Sequence, residues 1–425
     1  MRVCSFTWLM AGSLWLAGCG TAGVVDTALH GDLSALKRDV KSSQDAGKLD
    51  RSTVEDLARA VAGREVRSSS GTAAVDRVRD IRTCARPLLQ VLEARADQAD
   101  DAAAEATLTL LALGRRNPND LVKKYRDSSS GAWRAVAARA ASAKELGPVR
   151  RKFFLDPDER VRRAALSAAI EARSSDDLDA ALEAARVDPD GVSRGHATRT
   201  VGAIGGERAV LALADHWARA DELTRITILD AWSMPASFSA GGEHQLTTVA
   251  ETKQGTLAIT AADALIRAHG RYATSAEQVL INAVSQGTES ERRLAIQLVS
   301  LSDPDAIAAL EKATKDPDKE VKVIALARLA GAPQHKSRVV DGLRELAKKD
   351  DPLGLQARAA LARAGDTGVK KQLAELLSSP KAHTRTVAAR GLLDLGDYPN
   401  AATALADDDP AVRTAVACDV LARRD

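Results

Sequence analysis

Apolar positions recur every three or four residues along most of this chain, which is the period of an amphipathic helix. One clear case starts at Asp156, where Asp-Pro-Asp precedes an apolar stripe running from Val161 to Ala172. A polar turn over residues 174–177 follows, and residues 178–185 carry a second stripe of the same period. The pattern therefore predicts two consecutive helices joined by a short turn.

The same opening returns at a nearly constant interval. Asp-Pro recurs 32 residues later at Asp188 and a further 128 residues on, four times that interval, at Asp316. Proline is tolerated in a first helical turn, and the preceding Asp can cap it. Two helices per unit of about 32 residues predict an all-α fold, a right-handed α-solenoid of stacked antiparallel helix pairs. Other predicted unit openings lie at Asp221, Lys253, Thr288, Asp351, Ser379 and Asp409, and Asp303-Pro304 is predicted to open a second helix.

The phrase Asp-Pro-Asp-x-x-Val-Arg resembles the HEAT repeat in its short bacterial form, related to the phycobilisome-lyase type. The resemblance covers residues 127–425 clearly and residues 72–126 more weakly. It implies a ladder of basic residues that bond to acids and carbonyls of the adjoining repeat. The matching positions are Arg162, Lys322, Arg385 and Arg413. A row of bases that binds anions is the alternative interpretation.

The two ends are expected to differ from the middle. Ser52 and Glu55 fit a capping box that opens a helix, and residues 68–71 are the best candidate linker. We therefore predict a membrane-proximal helical segment over residues 19–71 and the solenoid over 72–425. A single helix follows Asp409, and this half-repeat is expected to cap the exposed edge of the stack.

The first 18 residues have the layout of a secretory signal, with Arg2 followed by a short apolar run. Leu-Ala-Gly-Cys, ending at Cys19, resembles the lipobox of bacterial lipoproteins. That resemblance implies cleavage before Cys19 and a lipid on its thiol, which would anchor the protein to a bilayer. Gly20 in place of Asp implies the outer membrane of the bacterial cell envelope. A plain secretory signal with an incidental cysteine is the alternative.

Composition narrows the choice of partner. Lys and Arg total 60 and Asp and Glu 58, a formal net charge of +2. Nucleic-acid binding usually needs a basic excess, so no nucleic-acid partner is expected. Aromatic residues make up only 3% of the chain, which suits a thin stack of closely spaced helices better than a deep enzyme core.

Two cysteines, Cys84 and Cys418, remain after the predicted cleavage. In an open stack they would lie near opposite ends, because successive helix layers are about 8–10 Å apart. That separation exceeds the roughly 7 Å between Cα atoms that a disulfide allows. We therefore expect two free thiols, with Cys418 serving as a small buried apolar residue.

The sequence predicts no catalytic residue, no metal ligand and no cofactor besides the covalent lipid. Some HEAT enzymes hold two iron ions with repeated His-Glu pairs, but this chain has only a single, reversed Glu243-His244. The seven histidines show no pairing at helical spacing. A nucleotide loop, a nucleophile elbow and a zinc-protease motif are also missing. Catalytic groups far apart in sequence would escape this search.

The scarce aromatic residues gather beside an interruption of the repeat. Trp217 and Trp232 precede the Pro-, Ser- and Gly-rich residues 233–242, which contain Phe238. Since tryptophan is enriched among interface anchors, these three residues are predicted to belong to a partner-binding patch. The alternative is that both tryptophans fill a gap between irregular repeats.

These features together favour a membrane-anchored scaffold or adaptor that binds protein partners in the cell envelope. A spacer or assembly factor for envelope clients is the second hypothesis. An enzyme with a site that the sequence hides is the third.

Overall fold

The structure is a computed structural model that describes residues 22–252 and 255–423. All regular secondary structure within these two ranges is helical, which confirms the prediction of an all-α solenoid. The predicted signal peptide and Cys19 lie outside the described residues. No helix in the described part of the chain has both the length and the apolar character needed to cross a bilayer.

The α-helices are numbered here in chain order. They are α1 Ala22–His30, α2 Leu33–Asp45, α3 Arg51–Ser68, α4 Gly71–Asp80, α5 Leu89–Ala96, α6 Asp101–Ala112, α7 Pro118–Tyr125, α8 Gly131–Ala140, α9 Gly147–Phe153, α10 Glu159–Ala172, α11 Leu178–Val187, α12 Gly191–Ile204, α13 Glu207–Arg219, α14 Glu222–Ser233, α15 Pro235–Ser237, α16 Glu243–Glu251, α17 Gly255–Arg267, α18 Ala273–Gln286, α19 Glu289–Leu298, α20 Pro304–Ala313, α21 Lys319–Ala330, α22 Lys336–Ala347, α23 Pro352–Arg363, α24 Lys370–Leu376, α25 Ala382–Asp394, α26 Tyr398–Ala401 and α27 Pro410–Ala422. Short 3₁₀ turns occur at Arg82–Cys84, Arg86–Leu88, Lys144–Leu146, Ser175–Asp177, Thr367–Val369 and Ala402–Ala406, and a π-helical turn at Phe238–Gly242.

The Asp-Pro-Asp openings begin helices where the sequence places them. Asp158 caps α10 by accepting a hydrogen bond from the Arg160 backbone N–H, and Asp318 likewise caps α21 by accepting from a backbone N–H of its first turn. The second helix of one unit opens at Asp303, as expected, with Pro304 as its first residue. Local capping chemistry thus fixes the starts of most units.

The helices form two layers. The inner helices are the ones that pack directly against their successors: α4, α6, α8, α10, α12, α14, α17, α19, α21, α23, α25 and α27. The helices between them, which we call outer helices, mostly contact inner helices rather than one another. Because the more closely spaced layer of a curved array lies on its concave side, the inner helices line the concave face. An ion pair agrees with this assignment. Arg160 at the start of α10 pairs with Asp101 at the start of α6 at 3.0 Å, although α8 lies between these two helices in the array.

The array closes on itself. α27 packs along α3, α26 also contacts α3, and α2 lies against Ala402–Ala406. We call this interface the seam; it joins α1–α4 to α26 and α27. Lys37 bonds Asp408 across it at 2.5 Å, and Gln44 bonds Asn400 at 2.8 Å. The expectation of an open stack capped by a half-repeat is therefore wrong: the last helix is covered by α3, and the molecule is a ring.

The seam also corrects the expectation for the cysteines. Cys84 and Cys418 form a disulfide, with Cα atoms 5.2 Å apart, across a sequence separation of 334 residues. The expectation of free thiols assumed a straight stack, in which distance grows with the number of repeats, whereas the ring brings the ends together. The expected burial of Cys418 is confirmed, since only 6% of the residue is exposed.

The N-terminal segment departs from the predicted details. α3 is capped by Asp50, which accepts a bond from the Thr53 N–H at 2.8 Å, so the predicted capping box at Ser52 is wrong. Asp50 rather than Ser52 is the cap, because Asp50 stands directly before the first helical residue, Arg51. Ser69 and Ser70 separate α3 from α4. The proposed domain boundary at residue 71 stays a prediction.

Candidate partner-binding site

A ladder of arginines ties the inner helices together. Arg162, in the first turn of α10, donates two hydrogen bonds to the carboxylate of Asp188, at 2.7 and 2.9 Å. It also donates to the backbone carbonyls of Asp156 and Pro157, just before its own helix. Each rung therefore joins one inner helix to the turn that opens the next. Other carboxylate rungs are Arg134–Asp156, Arg292–Asp316 and Arg385–Asp407.

The ladder continues across the seam. Arg413 in α27 donates to the carbonyls of Asp407 and Asp408, as ladder residues do elsewhere. Its carboxylate partner is Glu65 of α3, at 2.7 and 2.8 Å, and the two side chains are only 12% and 7% exposed. Glu65 thus takes the place of the aspartate that a following repeat would supply.

The ladder predicted from the sequence is confirmed at Arg162, Arg385 and Arg413. These guanidinium groups already bond to carboxylates and carbonyls of the protein. They therefore do not support the alternative of an anion-binding row. Lys322 shows no ion pair in the described part of the chain. Four further arginines bond the turn before their own helix although their repeats lack the Val-Arg phrase; three of them stand four residues after the helix cap, like Arg162, and Arg358 stands seven residues after it. They are Arg134, Arg194, Arg292 and Arg358.

The carboxylates of these turns make the ring sensitive to acid. Burial acts to raise the pKa of Asp156, but hydrogen bonds from Arg134 and from the Asp158 backbone N–H, together with the charge of Arg134, outweigh it, so this pKa lies below its ordinary value. Hydrogen bonding by Arg293 likewise lowers the pKa of Asp318. A group whose pKa is lower in the folded state contributes stability that is complete above its unfolded pKa, about 3.9 for Asp. That stability is lost as pH falls through the folded pKa.

We therefore expect the melting temperature to be steady between pH 7 and pH 5 and to fall progressively below about pH 4. Thermal melts followed by circular dichroism at pH 7, 5, 4 and 3 measure this. The Asp156→Asn variant should have a lower melting temperature than the native chain at pH 7. Its melting temperature should also fall by less between pH 5 and pH 3. A melting temperature unchanged down to pH 3 contradicts the expectation.

A groove of the inner face lies between α19, α21, α23 and α25 and has a volume of about 1070 Å³. Its floor contains apolar side chains that are only half-buried, namely Leu301, Ile324, Leu355 and Val387. The walls reach the turns that open α23 and α25. The groove therefore combines exposed apolar area with polar edges, as binding clefts for peptides and ligands do.

A second groove, of about 430 Å³, lies between α4, α6, α8 and α10. It is lined by several arginines, but these are neutralised inside the ring. Arg79 and Arg82 share Glu105, Arg139 pairs with Glu171, and Arg160 pairs with Asp158 and Asp101. Its charge is thus already compensated.

The structure brings together two of the three aromatic residues predicted to bind a partner. The rings of Trp217 and Trp232 are 5.4 Å apart between centroids, and the Arg225 guanidinium lies 5.4 Å from the Trp217 ring centre. Trp232 is only 1% exposed, so it packs in the core. Trp217 and Phe238 are half-buried and keep some exposed surface. A partner-binding patch formed by these residues stays a prediction.

The stretch that contains Phe238 is more helical than the sequence suggests. Residues 235–242 form α15 and a π-helical turn, with one break at Gly241, where φ is 119°. That backbone conformation is readily accessible to glycine and strained for other residues. The expectation of a helix-poor insertion is therefore wrong, and the segment is a kinked continuation of the array.

No cluster of His, Cys, Asp and Glu in the described residues could hold a metal ion. No family model matches this chain, and no curated protein matches it. Among solved structures, E. coli YibA aligns with 67% of this chain and 94% of its own, at 13% identity and a TM-score of 0.29. An engineered protein aligns with 89% of this chain and 99% of its own, at 17% identity and a TM-score of 0.25.

The karyopherin Kap121p, in a complex with the C-terminus of the phosphatase Cdc14p, is similar over 88% of this chain at 13% identity, with a TM-score of 0.34. This chain spans about half the length of that karyopherin, since the alignment covers 48% of it. The assignment of the fold therefore rests on the helices of this chain and on how they pack.

Proposed function

We propose that this chain is a membrane-anchored, ring-shaped scaffold that binds protein partners on its inner face in the bacterial cell envelope. The observation that carries this proposal is the groove of about 1070 Å³ on the concave wall, with its half-buried apolar floor. Helical-repeat arrays typically bind partners on such concave surfaces. The near-neutral net charge of +2 favours a protein partner over a nucleic acid.

Two features support the location. Disulfides persist in oxidising compartments outside the cytosol, so the bond between Cys84 and Cys418 favours an exported protein. The lipobox-like sequence before Cys19 favours a lipid anchor, and α1 begins only three residues after this cysteine. Since α1 packs on α3, an acyl chain on Cys19 would tether the ring close to its seam.

The first test is cross-linking in living cells with a tagged chain, followed by identification of the proteins that co-purify. A single dominant partner, weakened or lost in a Cys19→Ser version, is the expected result. The Cys19→Ser chain keeps every described contact, so it separates anchoring from folding. Recovery of no partner from either version contradicts a scaffold role and favours a spacer. Bound metal or ligand in the purified protein would instead favour an enzyme.

The aromatic residues can be tested on the same partner. Trp217→Ala is expected to weaken its binding if Trp217 forms part of the interface, whereas Trp232→Ala should mainly reduce stability, because Trp232 is buried. Unchanged partner affinity in Trp217→Ala and Phe238→Ala would contradict the predicted patch and leave the groove as the binding surface.

A further inference from the structure

The arginine ladder is broken beside the groove of about 1070 Å³ between α19 and α25. In intact repeats the turn before an inner helix reads Asp-Pro-Asp, with the first Asp pairing the previous ladder base and the second capping the helix. Before α25 the same turn is Ser379-Pro380-Lys381. Its alignment with intact turns is fixed by the backbone, since the Ser379 carbonyl accepts from Arg385 as the Asp156 carbonyl accepts from Arg162. Both acidic side chains are thus absent from this turn.

The neighbouring rung is broken as well. Lys349 stands two residues before the cap Asp351, the place that Asp156 holds before Asp158. The base that would face Lys349 is Lys322, and neither lysine has an ion pair within the described residues. Two successive rungs therefore lack their carboxylates, and the turns that would supply them, at Asp350–Asp351 and Ser379–Lys381, line the groove between α19 and α25.

The positive charge left by these gaps is not neutralised inside the ring. Arg358 donates only to the carbonyls of Ala347 and Lys349, and Lys381 is exposed at the groove wall with no ion pair among the described residues. Two carboxylates, Asp350 and Asp351, also line the groove. The second of these is engaged in capping, since it accepts from the Gly354 N–H at 2.7 Å. Arg328 and Arg363 line the groove as well, so four bases face two carboxylates and the formal charge of the groove is positive.

Other parts of the ring do not combine these properties. The groove between α4 and α10 is lined by arginines that already have carboxylate partners. Arg194 in α12 also lacks a carboxylate rung, but its charge is partly offset by the nearby carboxylate of Asp221, which caps α14. Uncompensated positive charge and exposed apolar area thus coincide in the groove between α19 and α25.

We infer that this groove binds an acidic segment of a partner protein, one that carries apolar side chains between its Asp and Glu residues. Apolar residues of the segment would cover Leu301, Ile324, Leu355 and Val387. Its carboxylates would neutralise Lys381 and Arg363, which are exposed at the groove, and would approach the guanidinium of Arg358, which is only 7% exposed, in place of the missing aspartates. The lining residues include no Phe, Tyr or Trp on which a nucleic-acid base could stack. The inference rests on the proposed scaffold function and specifies the chemistry of the partner.

The test uses the full chain and two fluorescein-labelled synthetic peptides. One is a Glu-rich peptide with Leu at every third or fourth position, and the other has Lys in place of every Glu. Fluorescence anisotropy is expected to show at least tenfold tighter binding of the acidic peptide, weakening as salt rises. Equal affinity for the two peptides, or no binding of either, overturns the inference.

The decisive variant is Ser379→Asp/Lys381→Asp, which restores the Asp-Pro-Asp turn of intact repeats. It is expected to weaken acidic-peptide binding at least tenfold. The carboxylate introduced at position 381 would cap α25, as Asp158 caps α10, so the variant is expected to melt within a few degrees of the native chain. A thermal melt of the variant followed by circular dichroism checks that a folding defect does not mimic the loss of binding. The matched control is Ser337→Asp/Lys371→Asp, which makes the same charge change in the first turns of outer helices α22 and α24.

Affinity within twofold of the native chain is expected for the control. Equal loss in both variants would mean that net charge alone drives binding, and it overturns the groove assignment. The cellular partner provides a separate readout. If cross-linking captures a partner that binds Ser379→Asp/Lys381→Asp as well as it binds the native chain, the groove inference fails while the scaffold stands. If no partner is captured, the proposed function fails independently of the peptide result.

Discussion

Replacing Cys84 and Cys418 with serine is expected to lower the free energy of unfolding by about 5 kcal/mol and the melting temperature by about 6 °C. The disulfide closes a loop with a sequence separation of 334 residues, so it removes much conformational freedom from the unfolded chain. The stabilisation grows only slowly with loop length, which is why the expected value stays within a few kcal/mol of that for much shorter loops.

Scanning calorimetry of oxidised and reduced protein measures the effect. The native chain reduced with dithiothreitol is the matched control, because it breaks the bond without placing serine hydroxyls in a buried site. Reduced native chain and the double-serine variant should melt within a few degrees of each other. If reduction leaves the melting temperature unchanged, the bond does not contribute to the stability of the ring.

The ring should nevertheless stay closed without the disulfide at moderate temperature. α27 packs along α3, and the buried side chains of these two helices include Val54, Val61 and Val416. Burial of such side chains contributes roughly 1.5–3 kcal/mol each before the cost of ordering the chain is counted. Small-angle X-ray scattering is therefore expected to give the same radius of gyration for oxidised and reduced protein.

Local structure could be predicted from this sequence because it depends on short-range chemistry. Asp158 and Asp318 each cap a helix opened by Asp-Pro-Asp, and the period of the apolar stripes follows from helix geometry alone. The rungs at Arg162 and Arg385 could be predicted because the base and its acid recur one repeat apart. Each of these contacts is repeated along the chain, so the pattern is visible.

Ring closure could not be predicted, because it depends on contacts that occur once. α1, α2 and α3 carry no repeat signature, and the acid that ends the ladder is Glu65, which stands in no Asp-Pro-Asp turn. The curvature of a solenoid accumulates from small rotations between repeats, and these depend on side-chain packing rather than on period. For the same reason, the bond between Cys84 and Cys418 could not be predicted from the sequence.

The groove could not be predicted from the sequence for a related reason. Ser379-Pro380 was recognised as a repeat opening, but the loss of its two carboxylates has meaning only when Arg358 is known to lie beside it. Arg358 itself sits seven residues after its cap Asp351, whereas Arg162 sits four residues after Asp158. Because of this irregular spacing, Arg358 does not match the repeat pattern in the sequence, although its guanidinium still bonds the preceding turn.

Glu65→Ala is expected to reduce the free energy of unfolding by about 3 kcal/mol, at the low end of the range for breaking a buried ion pair. Arg413, whose side chain is 12% exposed, would keep its bonds to the Asp407 and Asp408 carbonyls but lose the one carboxylate that it pairs with among the described residues. The measurement is chemical denaturation of oxidised protein. The control is Asp56→Ala, in the same helix.

Asp56 pairs with Arg59 within α3, and its side chain is 59% exposed, so its removal should cost less than about 1 kcal/mol. Equal losses in the two variants would contradict a special role for the seam rung. Combining Glu65→Ala with reduction of the disulfide then tests how the seam holds. Either change alone should leave the radius of gyration unchanged, because the bond ties α27 to the turn Arg82–Cys84 while the rung ties α27 to α3, so each still holds α27 at the seam when the other is lost. If the two changes together increase the radius of gyration, either the disulfide or the ion pair is sufficient to keep the seam closed. The ring is then a closed form of an array that would otherwise be open.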